Sequence, residues 1–504
     1  MTLAVSYTRT NDGVNAPQVS VEVDLSHGLP GFSIVGLPEA AVKESKDRVR
    51  SAIINSGFDF PSNRITVNLA PADRPKQGGR FDLPIAIGIL AASGQIEKTS
   101  LDAYEFIGEL ALSGELRDVN AVLPTAFAAH DVGRTILLPS NNAKEAGIIQ
   151  QAKILPCRTL IEAVEHLNDK QLLTQYKRAA TPADATVYAL DLSDVKGQFQ
   201  AKRALEIAAA GGHHLLMVGP PGTGKTMLAS RLSTILPEMT EQEALESASI
   251  ASVSHLGVDP EDWSKRPFRE PHHTASAVAL VGGGAKVMPG EISLAHHGVL
   301  FLDELTQFKG QVLDVLREPL ETGKIVLSRA TRQANYPAQF QLIAAMNPCP
   351  QGLDCDLNTQ CQCSIEQQRR YRKRLSAPFL DRIDIQINVP RVSHADMSSD
   401  EVAETSEQVK ARVCKARERQ QQRQAKPNYA LAANEIKVHC GLSAPDEALL
   451  GAVLEKFKLS ARARHRILKV ARTIADLDEA ESIETAHLSE AVSYRAMDRL
   501  LAAQ

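Results

Sequence analysis

The residues best equipped for chemistry lie at 219–226, Gly219-Pro220-Pro221-Gly222-Thr223-Gly224-Lys225-Thr226. Two glycines, a lysine and a hydroxyl at this spacing fit the G-x-x-x-x-G-K-[ST] phosphate loop. Glycine lets backbone N–H groups curl round a phosphate, and the helix start behind them adds a positive dipole end. Lys225 would reach the β- and γ-phosphates, and the Thr226 hydroxyl would ligate Mg²⁺. A second motif stands about 80 residues on, Gly298-Val-Leu-Phe-Leu-Asp303-Glu304. There an apolar run ends in two carboxylates. Asp303 would hold Mg²⁺ through water, and Glu304 would act as base on the attacking water.

Both motifs demand an open α/β sheet. The run 215–218 reads as a buried strand entering the loop, 227–232 as the helix leaving it, and 298–302 as the strand that delivers the acids. Ligands gather at the carboxyl ends of such strands. The 504 residues suffice for about two to four domains. Hydrophobic and charged fractions of 43% and 23% are ordinary for a soluble globular protein. A net charge of −4 gives no global nucleic-acid signature, so any such contact must be local. The N-terminus lacks a basic-then-apolar signal pattern, and the longest apolar run, 83–92, is too short for a bilayer. Seven cysteines in this length do not make a disulfide framework. A cytoplasmic protein without a membrane partner is expected.

Residues 1–170 mix strands and helices into an α+β domain. Alternation at Val19, Val21 and Val23 predicts a strand, 38–56 a helix, 64–69 a strand and 82–92 an apolar helix. Segments 106–112 and 115–119 read as a hairpin through Ser113-Gly114, and strands at 135–138 and 153–156 each lead into a helix. The stretches Pro75-Lys-Gln-Gly, Gly108-Glu-Leu-Ala-Leu-Ser-Gly-Glu-Leu and Thr135-Ile-Leu-Leu-Pro-Ser resemble the proteolytic domain of Lon-type proteases. The resemblance puts the nucleophile's place near Asp82 and the lysine's near Leu123, so it implies that fold without Ser–Lys peptidase chemistry. Residues 171–190 read as a polar linker, 191–392 as an ATPase core and 393–504 as helices.

Asp194 to Gln198 resembles the segment that closes over adenine in AAA+ ATPases, with a plain helix start as the alternative. Residues 240–295 read as a long insertion. Its tip, Gly282-Gly283-Gly284 with Lys286, is either a pore or DNA-contacting loop or a surface turn. The His pairs at 213–214, 272–273 and 296–297 show no ligand spacing and read as structural. Strands at 324–330 and from 336 flank a turn at 331–335. This hairpin resembles the pre-sensor hairpin of MCM-type helicases and magnesium chelatases, which puts Arg329 and Arg332 against DNA phosphates in a ring's pore, unless the hairpin is merely solvated. The next strand ends at Asn347, which suits the AAA+ sensor that orients the lytic water. Cys349, Cys355, Cys361 and Cys363 suit one tetrahedral Zn²⁺ or form a reduced loop. The segment 371–384 resembles that carrying the arginine finger, so Arg382 would enter the neighbouring subunit's site. Leu459-Ser-Ala-Arg462 resembles the second sensor, with Arg462 on the γ-phosphate and Arg464 and Arg466 beside it. The basic run from Lys410 to Lys426 is a solvated face or a nucleic-acid contact.

Four segments resemble the ComM/YifB family of magnesium chelatase-like AAA+ proteins: Gly211-Gly-His-His-Leu-Leu-Met-Val-Gly-Pro-Pro-Gly, Pro289-Gly-Glu-Ile-Ser-Leu-Ala-His, Asn347-Pro-Cys-Pro and Ala471-Arg-Thr-Ile-Ala-Asp-Leu. The likeness covers essentially the whole chain. It implies an AAA+ core with a helical lid behind a Lon-like domain. It also implies a homohexameric ring that uses ATP and Mg²⁺ to drive branch migration of single-stranded or branched DNA in natural transformation. Where the family usually has Cys-Pro-Cys-Gly this chain has Cys349-Pro-Gln351-Gly, so Cys355 would stand in as ligand. Where the family often has Pro-Ala-Arg it has Pro337-Ala338-Gln339. A chelatase motor subunit, an ATP-dependent protease and a nucleotide-gated scaffold are the competing functions.

Overall fold

The computed structural model describes residues 2–178, 190–284, 287–329, 332–351, 363–392, 403–457 and 459–495. Five parallel strands form the central sheet, in the order Phe268–Arg269, Val299–Leu302, Gln341–Met346, Leu215–Val218 and Ile385–Asn388. The three inner strands are buried throughout, as strands covered on both faces must be. Val218 stands opposite Met346, and Leu302 opposite Ala344. Because every strand runs the same way, the segments that begin at Gly219, Asp303, Asn347 and Glu270 all leave from one edge of the sheet.

The strand Phe268–Arg269 lies inside the stretch read from sequence as an insertion. Two residues give too short a pattern to show an alternation, so only the pairing with Val299 and Leu300 reveals it. One face of the sheet carries the helices Phe199–Gly211 and Lys225–Ile235 and, beyond them, Ser406–Gln424 and Ala461–Leu477. Leu205, Leu232, Val413, Ile467 and Ile474 belong to one continuous core there, so the C-terminal helices do not build a core of their own. The other face packs Leu300, Leu342, Phe308, Leu316 and Phe379.

The basic helix Ser406–Gln424 is neither bare nor free for nucleic acid along most of its charges. Arg412 pairs with Glu206 at 2.5 Å and Glu404 at 2.8 Å, and Arg423 with the buried Asp476 at 2.6 Å. Arg417 donates to the Ala209 carbonyl at 2.8 Å, and Lys410 and Arg419 reach Glu238 and Glu479. Just past the helix, Lys426 pairs with Glu435. The exposed pairs contribute at most about 1 kcal/mol each. The buried Asp476 is shared, pairing with Arg472 at 3.0 Å as well and accepting from Asn428 at 2.9 Å, so it stays partnered without Arg423.

The N-terminal region holds a four-stranded sheet, in the order Thr2–Arg9, Gln18–Ser26, Arg64–Ala70, Gly31–Val35, and a parallel three-stranded one, Tyr104–Phe106, Thr135–Pro139, Ile154–Cys157. The helix Asp82–Ala92 is buried on every side, which its unbroken apolar composition requires. The helix expected over 38–56 comes in two pieces, Ala40–Lys43 and Ser45–Asn55. The expected hairpin shrinks to Glu109–Leu110 paired with Leu116–Arg117, because Tyr104–Phe106 pairs in parallel with Thr135–Pro139 instead. The first part of the expected linker is pinned to its surroundings. Tyr176 N–H donates to the Ile154 carbonyl at 2.9 Å, and Arg178 donates to the Pro260 carbonyl at 2.5 Å.

The positions near which the resemblance put a nucleophile and base are structural. Asp82 accepts from Arg48 Nε at 2.7 Å, from Leu110 N–H at 3.2 Å and from the Ser45 hydroxyl. Burial pushes its carboxyl above the usual range, while Arg48 and Ser45 pull it back. Leu123 is buried, and its N–H donates to Ser252 Oγ at 3.3 Å. That contact docks the N-terminal region on the helix Glu241–Val253, with Ala121 N–H on the Ser252 carbonyl at 3.1 Å and Ser252 Oγ on Glu145 at 2.5 Å.

Candidate active site

Lys225 opens the helix Lys225–Ile235, entered through Gly224 in the left-handed region at φ +83°. A side chain is also excluded at Gly219, where a Cβ would lie 2.2 Å from the Val389 carbonyl oxygen. The loop therefore needs glycine at both ends for different reasons, backbone conformation at one and close approach at the other. Lys225 Nζ donates to the Gly219 and Pro220 carbonyls, both at 2.8 Å, and stands 3.4 Å from Asn347 Oδ1. Burial lowers the Lys225 ammonium from the usual lysine range, and Asp303 and Glu304 oppose this. Thr226 Oγ1 donates to Asp303 Oδ2 at 2.6 Å. These groups line a cavity of about 440 Å³ that also takes in Glu304 and Asn347.

The cavity suits a phosphate chain and a hard divalent cation. Its floor is backbone and lysine, and the Thr226 hydroxyl and Asp303 carboxylate already meet as oxygen donors. Glu304 has a left-handed backbone, φ +49°, with its N–H on Asp303 Oδ1 at 2.7 Å. Gln198 lies across the loop, donating to the Pro390 carbonyl at 2.7 Å and toward the Thr223 carbonyl at 3.4 Å. Asp194, in the same segment, pairs with Arg231 at 2.8 Å.

Sequence reasoning missed the contribution of Phe268–Arg269. The segment that leaves this strand brings Glu270 near Asp303, and burial with Asp303 pushes the Glu270 carboxyl up. It also brings His273 Nδ1 to 3.4 Å from Glu304 Oε2. Of the three His pairs read as structural from the sequence, 272–273 lies beside Glu304 and the other two meet acids elsewhere. His213 and His214 are buried beside Asp384, which Arg466 also pairs with. His296 and His297 meet Glu246 at 3.4 and 2.9 Å, a grouping with the look of a metal site. His296 Nδ1 accepts the Gln339 N–H at 3.0 Å, so the neutral ring carries its proton on Nε2, facing Glu246. A cation there would have to displace that proton, and the trio is better described as hydrogen-bonded.

Arg382 and Arg462 are not among the residues lining this cavity. Arg382 pairs with Glu321 at 2.5 Å and donates to the Arg317 carbonyl at 3.2 Å, and Arg462 stands 3.5 Å from the same Glu321. Arg464 goes to Glu447 and Arg466 to Asp384. The second strand of the hairpin starts earlier than expected: Lys324–Arg329 pairs with Arg332–Pro337 in a register that sets Arg329 opposite Arg332. Ala334 and Tyr336 point inward there on either side of the exposed Asn335. The side chains of Arg329 and Arg332, together with Lys286, Cys355 and Cys361, lie outside the described residues. Cys349 and Cys363 are buried with their sulfurs 3.5 Å apart.

The comparisons with known proteins agree along the chain. Residues 191–397 match the family described as magnesium chelatase, subunit ChlI, residues 21–142 match subunit ChlI of Mg-chelatase, and residues 403–495 match the C-terminal part of that subunit. Competence protein ComM of Haemophilus influenzae is 51% identical over 99% of both chains. YifB of Escherichia coli is 52% identical over 99% of this chain and 98% of its own. The chain belongs to the ComM/YifB family of magnesium chelatase-like AAA+ proteins. The magnesium-chelatase 38 kDa subunit of Rhodobacter capsulatus is more distant, 29% identical over 31% of this chain and 49% of its own. For a ComM/YifB chain the magnesium-chelatase likeness is thus strongest in family pattern and weak in direct identity. Among the described residues no helix is long and apolar enough to cross a membrane.

Proposed function

We propose that the protein is a cytoplasmic, ring-forming ATPase, a homohexameric helicase that acts on single-stranded or branched DNA and promotes branch migration of recombination intermediates in natural transformation. The observation that carries the ATPase part is the meeting of Lys225, Thr226, Asp303, Glu304 and Asn347 around one cavity at the carboxyl edge of the sheet. Lys225 and the loop amides bind and orient the ATP phosphates. Glu304 takes the proton of the attacking water, and Asn347 orients that water. Mg²⁺ held by Thr226 and Asp303 would neutralise phosphate charge. The name of the Haemophilus relative supports the link to DNA uptake. The strand-hairpin with Arg329 and Arg332 near its turn gives phosphates a place to be gripped, with Lys286 as a further contact. The N-terminal region is read as a Lon-like fold used as a scaffold, and the C-terminal helices as the lid.

Unwinding of a forked or four-way DNA junction by wild type and by Lys225→Ala tests this reading. The wild type is expected to unwind with ATP and the variant to fail. Equal behaviour of the two, or no DNA effect on ATP turnover, would sink the motor. Zn²⁺ completes the proposal. Thiolates on one tetrahedral ion with bonds of about 2.3 Å stand about 3.8 Å apart, close to the separation of Cys349 and Cys363. Metal analysis is expected to find one zinc per chain, lost in Cys349→Ser, and a metal-free wild type would refute it.

A further inference from the structure

We propose that the cavity between the N-terminal region and the hairpin strand Arg332–Pro337 binds the carboxyl end of a basic peptide, with Arg80 taking its terminal carboxylate. This cavity, of about 540 Å³, shares no lining residue with the phosphate site. One wall comes from the segments 10–13, 73–80 and 118–120, the other from Val287, Met288, Gln333, Ala334 and Tyr336. Both walls are fixed. The Thr10 hydroxyl donates to the Pro75 carbonyl at 3.1 Å, and the Glu39 N–H to the Lys76 carbonyl at 3.2 Å. Opposite them, the Tyr336 hydroxyl donates to the Val287 carbonyl at 2.9 Å. The walls meet at Gly13, φ +60°, where a Cβ would lie 3.3 Å from the Asn335 carbonyl oxygen.

Arg80 is the charge that this cavity leaves uncompensated. It is 4% exposed, and it donates to the Asn11 amide oxygen and to Thr125 Oγ1 at 2.9 Å, both neutral. Its Nε has no partner among the described residues. Burial pushes the guanidinium down to about 10, and no neighbouring acid opposes this. A buried charge is costly unless it is paired, and a planar guanidinium pairs best with a carboxylate. The rest of the lining has the opposite sign, with Asp12, Glu39, Asp73, Glu109 and Asp118 against Arg74. A nucleic-acid strand carries a charge on every phosphate and would be repelled by these five acids. One carboxylate at Arg80, with ammonium or guanidinium groups toward the acids, matches both signs. Val119, Val253, Val287 and Tyr336 offer apolar contact to the stems of lysine or arginine side chains. The volume is that of a drug-sized ligand, so a free basic amino acid would leave much of it unfilled, and a peptide end of a few residues suits it. Such a peptide would tie the segment 73–80 to the hairpin strand.

The probe is a fluorescein-labelled hexapeptide of alternating lysine and alanine with a free carboxyl end, titrated by anisotropy into the full-length protein without nucleotide. The outcome is therefore independent of the ATPase reading. Saturable binding is expected, weakened roughly tenfold by amidation of the carboxyl end, the scale of a hydrogen bond to a charged group. Arg80→Gln should bind acid and amide alike. Should that variant fail to fold, Asp12→Asn combined with Asp118→Asn, both at exposed positions, should weaken the free-acid peptide severalfold. Bound peptide should slow amide hydrogen exchange both at 76–80 and at 333–336. No saturable binding, equal affinity for acid and amide, or protection confined to other segments would overturn the proposal. So would free lysine competing as well as the peptide, or displacement by a poly-dT oligonucleotide, which would make the cavity a nucleic-acid site.

Discussion

Glu304→Gln is expected to bind ATP like the wild type and to hydrolyse it about 10²–10⁴-fold more slowly, the range for removing a general base. Glutamine keeps the shape and loses the proton acceptor. The loss should fall on kcat and leave KM near its wild-type value, because the phosphates rest on Lys225 and the loop amides. Glu304 is about half-exposed, so the substitution leaves no buried charge stranded and the fold should survive it. Its left-handed backbone is kept by the contact of its own N–H with Asp303, which glutamine preserves. Single-turnover hydrolysis alongside binding of a fluorescent ATP analogue would separate the two effects. Turnover within a fewfold of wild type would transfer the base to another group at this edge, and Glu270, close to Asp303, would be the next to replace.

What could be read in the chain beforehand followed the distance over which each feature is written. The phosphate loop is eight consecutive residues, and its chemistry needs only the strand before it and the helix after it. Asp303 and Glu304 end an apolar strand, again a local pattern. His273 belongs to the same site, but it follows a different, two-residue strand, and only the sheet order brings it to Glu304. The basic helix shows the same limit. Its sequence displays cations, while the acids that neutralise them, Glu206 and Asp476, lie on other helices far away in the chain. The hairpin expected over 106–119 exceeds the observed one at 109–117 for a related reason. A local turn signal was visible, but the parallel partner of Tyr104–Phe106 was not. The fold class, by contrast, needs only the kinds of element and their order, and those were legible. The shared core of sheet and C-terminal helices was not, because it depends on packing between helices separated by some two hundred residues.

Arg382→Ala is expected to lower turnover roughly 10³-fold, the effect of removing an arginine finger, while each chain still binds ATP. Arg382 is 7% exposed at its side chain and does not line its own chain's phosphate cavity. Both it and Arg462 converge on Glu321, in the short helix Pro319–Thr322 that leads into the hairpin. In the proposed ring these two arginines, held on one carboxylate outside the cavity of their own chain, would serve a second copy. For Arg382 to reach another subunit's γ-phosphate it must exchange Glu321 for phosphate, so closure of the interface would also release the carboxylate three residues before the hairpin begins at Lys324. Losing the arginine leaves Glu321 about half-exposed and able to take up water, so the variant should fold. Mixing decides the point. Lys225→Ala and Arg382→Ala are each expected to be inactive alone. Rings formed from both contain interfaces with an intact loop on one side and an intact arginine on the other, and these should recover turnover. Glu321→Gln should ease the exchange and raise turnover in assembled rings. If the mixed rings form and stay inactive, Arg382 acts within its own chain and the composite site is wrong.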